Sequence, residues 1–492
     1  MLVLLALLAC DTEPAVEARR GPPNVVFVSI DGLRYDRTGL GGHDLPTTPT
    51  LDHLATLGVS FDRAFSTANE SVFSHASMLT SRYTSEVAHP EYLAYVVPED
   101  ATLLPEVLEA LGYETGAFVG GGHVRETFGF DQGFDHWMES EVLFGSFYET
   151  GAEAMTWLDE RTTDAPFFVF LHGYDPHRPY LHTGLFTHPF GKASTTAFER
   201  LIRVRNFTDM VFEGVVYPAF ELAWVEHVNG DVLLSARDYE RIGEEAASLS
   251  EVVLPLTDDD LEHVDRHYDS SVLCADTYVG LFLEGLHERG LWDDTLVVIT
   301  SDHGEDMQDH GFYNHRAVLM DSTTRVPLLI TGGAVPEALW GTRVPWVVDS
   351  VDLVPTILDV VGTVPPAGSR GRALLELVES GGPDDDRASF QEGVLGHSAI
   401  RVEDWRLIFH GGDLTAPDYL ERMATSDLAD AFALYHLPTD PTEQTDVLAD
   451  HLDTAESLRA RLVRWRAGIQ VGTARQELDP ALKQQLQERG YW

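Results

Sequence analysis

Two stretches of the chain place carboxylates where a divalent cation could bind. Residues 301–305, Ser-Asp-His-Gly-Glu, follow one apolar run, and Asp31 follows another. A carboxylate beside an imidazole at the end of a buried strand suits a divalent cation, and a glycine lets the backbone turn away. Either stretch alone could be an acidic turn. Together they predict a cation site that includes Asp31, Asp302 and His303.

Ser71 is the candidate nucleophile. It opens the segment 71–82, whose pattern predicts a loop that enters a helix and which also carries His75 as a candidate catalytic residue. A serine at a helix N-terminus commonly caps the helix and does nothing else. The same place offers backbone N–H groups and the helix dipole to an alkoxide or to a bound phosphate or sulfate. A serine hydroxyl is a weak nucleophile until a base or metal activates it, and cation coordination would meet that need.

The elements that must position these residues follow from apolar periodicity. Apolar and β-branched runs predict five strands, at 24–30, 113–119, 167–171, 295–300 and 326–330. Apolar residues repeat every three to four positions over 272–286, which predicts a helix that ends near Gly290. Strands and helices alternate, so we expect an α/β fold around a mostly parallel sheet.

Candidate site residues follow the ends of these strands. They are Asp31, Asp175, His177, Asp302 and His303. Open α/β sheets bind ligands in the crevice beyond the carboxyl ends of their strands. We therefore expect these residues to converge.

Composition limits the possible partners of the protein, and the pattern of elements indicates its domains. The net charge is −47, and no basic stripe is present, so nucleic acid is excluded as a partner. The alternation of strands and helices breaks down in an aromatic-rich insertion at 181–262, for which a substrate-selecting lid and a peripheral helical addition are equally good readings. We expect a catalytic domain over 24–365 and a small C-terminal α+β subdomain over 385–492.

The N-terminus resembles a bacterial lipoprotein signal. An apolar run leads to Leu7-Leu8-Ala9-Cys10, and Cys10 would carry the lipid. The basic residues that usually begin such a signal are missing, so a misplaced start before a soluble protein is the alternative. We expect residues 1–23 to form a signal and linker, with the protein lipid-anchored at the membrane in the cell envelope, in the periplasm or on the outer surface.

Several spaced motifs resemble the sulfatase family of the alkaline phosphatase superfamily. They occupy residues 24–31, 46–52, 71–82, 175–180, 301–311 and 325–328, in the order seen in sulfatases. The resemblance implies an alkaline phosphatase-like α/β/α sandwich and an ester hydrolase. Carried over position by position, it implies metal ligation by Asp31, Ser71, Asp302 and His303.

Three departures from the sulfatase pattern adjust what the resemblance implies. Residues 71–75, Ser-Val-Phe-Ser-His, lack the proline and arginine that accompany conversion to formylglycine, so an unmodified Ser71 is expected to attack directly. Gly32 replaces a frequent aspartate and His303 a frequent asparagine, which favours Zn²⁺ or Mn²⁺ over Ca²⁺. The lysines that grip sulfate in many relatives are also missing, and His315 stands where one of them would be.

Two histidines complete the expected site. His177 and His315 together resemble the phosphoethanolamine transferase pattern, and either could protonate the leaving oxygen. For His123 and His310 an ordinary structural role is as good a reading. The expected function is metal-dependent hydrolysis of sulfate esters, or of related phosphate or phosphonate esters, in small molecules or glycans. The alternatives are a phosphotransferase of the phosphoethanolamine transferase type and a degenerate sulfatase-fold lipoprotein that binds glycans.

Overall fold

The computed structural model describes most of the chain outside the N-terminus, the insertion and the C-terminal tail. The described residues are 21–90, 94–142, 144–177, 190, 209–212, 215–218, 254–255, 258–310, 313–316, 318–383 and 385–475. Cys10 and nearly all of the predicted insertion lie outside these ranges, so lipid anchoring and the role of the insertion stay predictions. None of the described helices is both long and apolar enough to span a bilayer.

Strands and helices alternate through the first three quarters of the chain. The strands are β1 (Asn24–Ile30), β2 (Val59–Phe65), β3 (Glu114–Val119), β4 (His136–Glu139), β5 (Phe167–Gly173), β6 (Asp209–Phe212), β7 (Val215–Pro218), β8 (Leu254–Pro255), β9 (Thr295–Thr300), β10 (Asp306–Met307), β11 (Tyr313–Asn314), β12 (Arg325–Val326), β13 (Leu328–Thr331), β14 (Thr342–Asp349), β15 (Ala388–Glu392), β16 (Ser398–Val402), β17 (Trp405–Phe409) and β18 (Phe432–His436). The helices are α1 (Pro49–Leu54), α2 (Ser71–Thr80), α3 (Thr84–Val87), α4 (Leu104–Ala110), α5 (Phe147–Glu160), α6 (Asp258–Glu288), α7 (Asp321–Thr324), α8 (Leu353–Val361), α9 (Leu374–Glu379), α10 (Tyr419–Thr425), α11 (Leu428–Ala431) and α12 (Leu452–Ala467).

The main sheet is mostly parallel, as expected. Its strand order is β12-β2-β13-β9-β1-β5-β3-β4, with β14 paired to β2. The strands β9, β1, β5, β3 and β4 are parallel neighbours. Central β1 therefore ends between β9 and β5, and this places Asp31 between the residues that follow the other two strands.

Helices cover both faces of this sheet. Alternate residues of β1 pack in opposite directions: Val25 and Phe27 join a core that contains residues of α2, α4, α8 and α9. Val26 and Val28 join a second core that contains residues of α1, α5 and α6. Burial on both faces explains why the central strands are continuous apolar runs. The predicted α/β/α sandwich is confirmed.

One edge of the sheet differs from the expected pattern. The predicted strand 326–330 is broken at Pro327, which has no N–H to donate, into β12 and β13. Both pieces pair antiparallel with β2, and β13 also runs antiparallel to β9. The edge strand β14 and its neighbour β2 had no counterpart among the predicted strands.

A small four-stranded antiparallel sheet, in the order β15-β16-β17-β18, forms the C-terminal subdomain. Helices α10 and α12 cover it around a core of its own. The fully buried guanidinium of Arg406, on β17, reaches back to Asp321 and Glu443. This buried charge cluster ties the subdomain to the segment between β11 and β12.

Candidate active site

The N-terminus of helix α2 presents Ser71 to the carboxyl edge of the sheet. Glu70 precedes the helix in an extended conformation, and Ser81 ends it in the left-handed conformation at φ 57°. All ten residues of α2 are buried, so the helix is fixed on every side. Because the first amides of a helix have no intrahelical acceptor, those of Ser71 and Val72 are available to an anion.

The four residues predicted to hold a cation lie together. Oγ of Ser71 donates a hydrogen bond to Oδ2 of Asp31 at 3.0 Å and lies 3.2 Å from Nε2 of His303. Nε2 of His303 lies 3.4 Å from Oδ2 of Asp302. Donor atoms of Asp31, Asp302 and His303 lie within 4.8 Å of one another, and all three side chains are fully buried.

One ring nitrogen of His303 faces the other proposed ligands. Nδ1 of His303 lies 2.9 Å from the carbonyl oxygen of Gly304, which can only accept, so this nitrogen carries a proton. Nε2 faces Ser71 and Asp302, and burial lowers the pKa of His303 despite the neighbouring Asp302. A metal-binding histidine commonly donates its other N–H in this way.

Each carboxylate of this group has one buried oxygen that makes no hydrogen bond, Oδ1 in Asp31 and Oδ2 in Asp302. An isolated buried oxygen of this kind is costly unless it is paired with a positive charge. The residues present therefore fit a divalent cation held by Asp31, Asp302, His303 and Ser71. A donor set of oxygens with one imidazole nitrogen is compatible with Zn²⁺ or Mn²⁺.

The electrostatics of this group reflect two close carboxylates. Burial first, and then Asp302, raises the pKa of Asp31 well above its ordinary value. Burial alone would also raise the pKa of Asp302, but the imidazoles of His303, His75 and His172 hold it at about 2. The two carboxyl groups therefore titrate as a pair, because two adjacent carboxylates resist full ionisation.

His75 lies behind the nucleophile. Its Nδ1 donates to the carbonyl oxygen of Ser71 at 2.8 Å, and its Nε2 accepts from Oγ of Ser29 at 3.0 Å. The ring also lies 3.7 Å from Oδ2 of Asp302. Since both nitrogens are engaged, we assign His75 to positioning Ser71 and not to substrate contact.

A second group of possible ligands lies beside the first. Donor atoms of His177, Glu305 and His315 lie within 4.8 Å of one another, and all three side chains are buried. Nδ1 of His315 lies 2.8 Å from Oε1 of Glu305. The rings of His303 and His315 stack with their centroids 4.0 Å apart. The sequence-predicted histidines 177 and 315 therefore both reach the site.

Glu70 joins several site residues, and sequence reasoning missed it. It contacts His123 at 2.8 Å and the guanidinium Nε of Arg316 at 2.5 Å, and it lies 3.4 Å from His315. Burial would raise the pKa of Glu70, but Arg316, His123 and His315 hold it well below its ordinary value. Its position directly before Ser71 was the only sequence signal that could have indicated this role. His123 thus supports the site through Glu70.

Two further residues beside the site were not predicted from the sequence. Neither ring nitrogen of the buried His172 makes a hydrogen bond, and its Nε2 lies 3.5 Å from Oδ2 of Asp31. Asn69 donates from Nδ2 to the carbonyl oxygens of His315 at 2.8 Å and Val318 at 2.9 Å. It thereby fixes the loop that carries His315 against the loop that carries the nucleophile.

Two candidates lie outside the site. Asp175, which was expected to converge with the others, instead accepts hydrogen bonds from Oγ of Ser146 at 2.5 Å and the amide of Phe147 at 2.9 Å. It satisfies the N-terminus of α5, a structural role. His310 forms an ion pair with Asp306 at 2.6 Å, which raises its pKa against the effect of burial.

Comparisons with known proteins bear on the family and the fold. A family model described as Sulfatase matches residues 23–363. The N-acetylglucosamine-6-O-sulfatase of Bacteroides thetaiotaomicron is 24% identical over 504 residues, which cover 91% of this chain and 86% of that protein. Two solved structures share the fold. One is a protein in complex with its substrate D-glucosamine-2-N,6-O-disulfate, with a TM-score of 0.67 at 21% identity over 91% of this chain and 98% of the other. The second is the phosphonate monoester hydrolase of Agrobacterium radiobacter, with a TM-score of 0.65 at 22% identity over 91% of this chain and 96% of the other.

Proposed function

This chain belongs to the sulfatase family, and from that premise we propose that it hydrolyses sulfate esters, or related phosphate or phosphonate esters, with Ser71 as an unmodified nucleophile. The observation that carries the proposal is the position of Oγ of Ser71, 3.0 Å from Asp31 and 3.2 Å from His303 at a helix N-terminus. A hydroxyl placed in this way is held for attack on a tetrahedral oxyanion ester.

The side chains around Ser71 have separate roles in the first step, the attack on the ester. Oγ of Ser71 forms a bond to the sulfur or phosphorus atom as the bond to the leaving oxygen breaks, and the leaving oxygen takes a proton from the imidazole of His177 or His315. Oδ2 of Asp31, which already accepts the hydroxyl hydrogen bond, is placed to take the proton. The hydrogen bond from His75 to the carbonyl oxygen of Ser71 keeps the first turn of α2 in register.

Charge on the transferred group meets the positive end of α2. The amides of Ser71 and Val72 lie at that end, the imidazole of His177 lies 4.0 Å from Asp31, and that of His315 stacks on His303. A divalent cation at Asp31, Asp302, His303 and Ser71 would supply Lewis acidity and lower the pKa of the serine hydroxyl. Nitrogen donors favour Zn²⁺ or Mn²⁺ for that position. Water then releases the second product from the Ser71 ester.

The substrate class is a tetrahedral oxyanion ester. The relative from Bacteroides thetaiotaomicron is named for a sulfated amino sugar, which supports a sulfated glycan or its fragment. No lysine lies among the described residues, and this, together with His315 and Arg316 in the same region, supports phosphate and phosphonate esters as well. If an alcohol replaces water in the second step, the same site acts as a transferase.

Ser71→Ala tests the proposal directly. With a panel of aryl sulfate, phosphate and phosphonate esters, we expect Ser71→Ala to abolish turnover and to retain the wild-type melting temperature. Ser74→Ala is the matched control, because Ser74 lies on the same buried helix and, among the described residues, its hydroxyl bonds Ser66 and Ala68, outside the site. Its turnover is expected to survive.

Mass spectrometry gives an independent measurement. Rapid acid quenching should trap a sulfated or phosphorylated peptide that contains Ser71, and the resting enzyme should show the unmodified serine. Turnover by Ser71→Ala equal to that of Ser74→Ala would refute the assignment of the nucleophile. Formylglycine at position 71 in the purified protein would refute direct attack by serine.

A further inference from the structure

A polar cavity lies where the C-terminal subdomain meets the catalytic domain. Its volume is about 210 Å³, and its walls come from the end of β14, residues 350–352, the segment before α9, the start of β15 and helix α12. The chain has 33 basic residues against 80 acidic ones, so basic side chains are scarce. Four of the residues that line this cavity are nevertheless arginines, namely Arg370, Arg372, Arg387 and Arg461.

The cavity lies at the opposite end of α2 from the nucleophile. The carbonyl oxygen of Ser81, which ends α2, accepts a hydrogen bond from the amide of Arg370 at 2.7 Å. Oγ of Ser81 donates to the carbonyl oxygen of Val351, another cavity residue, at 2.6 Å. A helix of ten residues is about 15 Å long. The arginines are therefore separate from the site around Ser71.

Arg387 is the most buried of the paired arginines in this cavity. Its side chain is 8% exposed, and its Nη2 donates to Oδ2 of Asp352 at 2.5 Å. Its Nη1 is buried and makes no hydrogen bond with any described residue. A buried donor on a charged group is costly unless an acceptor satisfies it. Arg387 therefore has a donor nitrogen for a ligand.

Arg372 and Arg461 are held more loosely. Arg372 makes two hydrogen bonds to the carboxylate of Asp385, at 3.0 and 2.6 Å, and both side chains are about half exposed. Exposed ion pairs contribute little to stability. Nη2 of Arg461, on α12, donates to the carbonyl oxygen of Asp386 at 2.8 Å. An anion in the cavity can therefore compete for both guanidinium groups.

The acidic groups beside the cavity balance its arginines without exceeding them. Burial and the neighbouring Asp352 raise the pKa of Asp349 to about 7, so this carboxyl is mostly protonated below that pH and can donate a hydrogen bond. The remaining carboxylates equal the four guanidinium groups in number, and they are those of Asp352, Asp385, Asp386 and the nearby Glu86. The cavity is thus close to neutral in a protein whose net charge is −47.

We propose that this cavity binds a tetrahedral oxyanion, which the guanidinium groups of Arg372, Arg387 and Arg461 hold between the two domains. The planar guanidinium fork matches the oxygens of sulfate and phosphate. The volume leaves room for such an anion together with several waters. Arg372 lies just before α9, in the core of the catalytic domain, and Arg461 lies on α12 of the subdomain. The anion would join the two domains whether or not Ser71 is the nucleophile.

The competing arrangement is a cavity filled with water. In that arrangement the arginines only pair with the surrounding carboxylates and stabilise the contact between the domains. The two arrangements differ in whether the protein binds an anion, which can be measured without any turnover.

Titration calorimetry of the full chain with inorganic sulfate separates them. The protein is freed of metal by chelation and gel filtration, and chloride keeps the ionic strength constant. We expect one sulfate per chain. Arg387→Lys keeps a positive charge beside Asp352 but lacks the second guanidinium nitrogen, and Arg372→Gln removes a half-exposed guanidinium. Each variant should bind sulfate more weakly by about tenfold or more.

Arg289→Gln is the matched control for Arg372→Gln. Arg289 also makes two hydrogen bonds to one carboxylate, that of Asp159, both at 2.7 Å, and it does not line the cavity. It should keep the wild-type affinity for sulfate, and all three variants should keep the wild-type circular dichroism spectrum. As a second measurement, sulfate should raise the melting temperature of the wild type and of Arg289→Gln more than that of the two cavity variants.

Inorganic phosphate and methyl sulfate identify the source of the oxyanion. Tighter binding of inorganic sulfate or phosphate than of methyl sulfate supports the site and assigns it to free anions, such as the product of the proposed reaction. Equal binding of methyl sulfate supports it as a site for an oxyanion group on a larger molecule. Absence of binding of all three at tens of millimolar, or equal sulfate affinity in the wild type, Arg372→Gln and Arg387→Lys, would overturn the proposal. Neither result changes the expected dependence of turnover on Ser71.

Discussion

The substitution Asp302→Asn tests the cation site beside Ser71, because it changes the charge of the side chain and preserves its shape. Oδ1 of Asp302 accepts hydrogen bonds from the amides of Gly32 at 3.1 Å and His303 at 2.9 Å. The carbonyl oxygen of an asparagine can keep both. Oδ2 is buried without a hydrogen bond and is the oxygen available to a cation. The variant should therefore lose a ligand charge while its loop stays in place.

The expected effect on stability has opposite signs with and without metal. Donor oxygens of Asp31 and Asp302 lie within 4.8 Å of each other. At an effective dielectric constant of about 20, two full charges at that distance repel by roughly 3.5 kcal/mol. Burial and Asp302 raise the pKa of Asp31, which offsets part of this repulsion. We expect the metal-free variant to gain about 1–3 kcal/mol over the wild type.

Metal reverses the order of the two proteins. A cation at 100 times its dissociation constant stabilises the wild type by about 2.7 kcal/mol and leaves a variant that cannot bind it unchanged. Calorimetric melts of both proteins, with EDTA and with Zn²⁺ or Mn²⁺, measure both effects. We expect Asp302→Asn to melt above the wild type in EDTA and to show a much smaller shift on adding metal.

Asp306→Asn is the matched control for these melts. Asp306 is equally buried, but it pairs with His310 at 2.6 Å instead of facing a like charge. It should lose stability to a similar extent in EDTA and in metal. An Asp302→Asn protein that melts below the wild type in EDTA, or that keeps the full metal shift, would refute the reasoning.

Two further predictions concern Asn69, which lies beside the site, and the buried Asp349. Asn69→Ala leaves the buried carbonyls of His315 and Val318 without a donor, so we expect a loss of about 1–3 kcal/mol in urea unfolding. We also expect a fall of at least about tenfold in kcat/KM, since the His315 loop is released; unchanged kinetics would show that Asn69 does not position the loop. Burial and the neighbouring Asp352 raise the pKa of Asp349 to about 7, against about 3.9 when unfolded, so stability should fall as pH rises from about 4 to about 7. Asp349→Asn should reduce that fall by up to roughly 2.6 kcal/mol between pH 5 and pH 8, as measured by urea unfolding at the two pH values, and an unchanged pH dependence would contradict it.

Much of the site could be predicted because its ligands follow strands with strong apolar patterns. Strands β1 and β9 have the bounds that the sequence predicted, and Asp31, Asp302 and His303 follow them directly. Neighbouring parallel strands end at the same edge of a sheet, so convergence followed from chain position. Ser71 required a different signal, the start of a helix after a loop.

The remaining site residues could not be identified because their roles depend on tertiary packing. Glu70 forms an ion pair with Arg316, and Glu305 forms one with His315. No local sequence pattern shows that these side chains meet. Asp175 follows a strand as Asp31 does, but the start of α5 lies close enough in space to bind its carboxylate. Position after a strand predicts the edge of the sheet but not the direction of the side chain.

Strands β2 and β14 were not predicted because their sequences lack a clear apolar pattern. β2 contains Asp62 and Arg63 in its middle, and β14 contains Pro345, so neither is a clean apolar run. Both are stabilised by pairing with each other over residues distant in sequence. Long-range pairing of this kind overrides local propensity.

Helix α2, enclosed along its full length, limits how this enzyme can diversify. Because no residue of this helix faces solvent, few substitutions in it can change the position of Ser71 without disturbing the core. New substrate preferences would have to arise in loops at the mouth of the crevice. Libraries intended to redirect the enzyme should therefore leave residues 71–80 untouched and vary the rim.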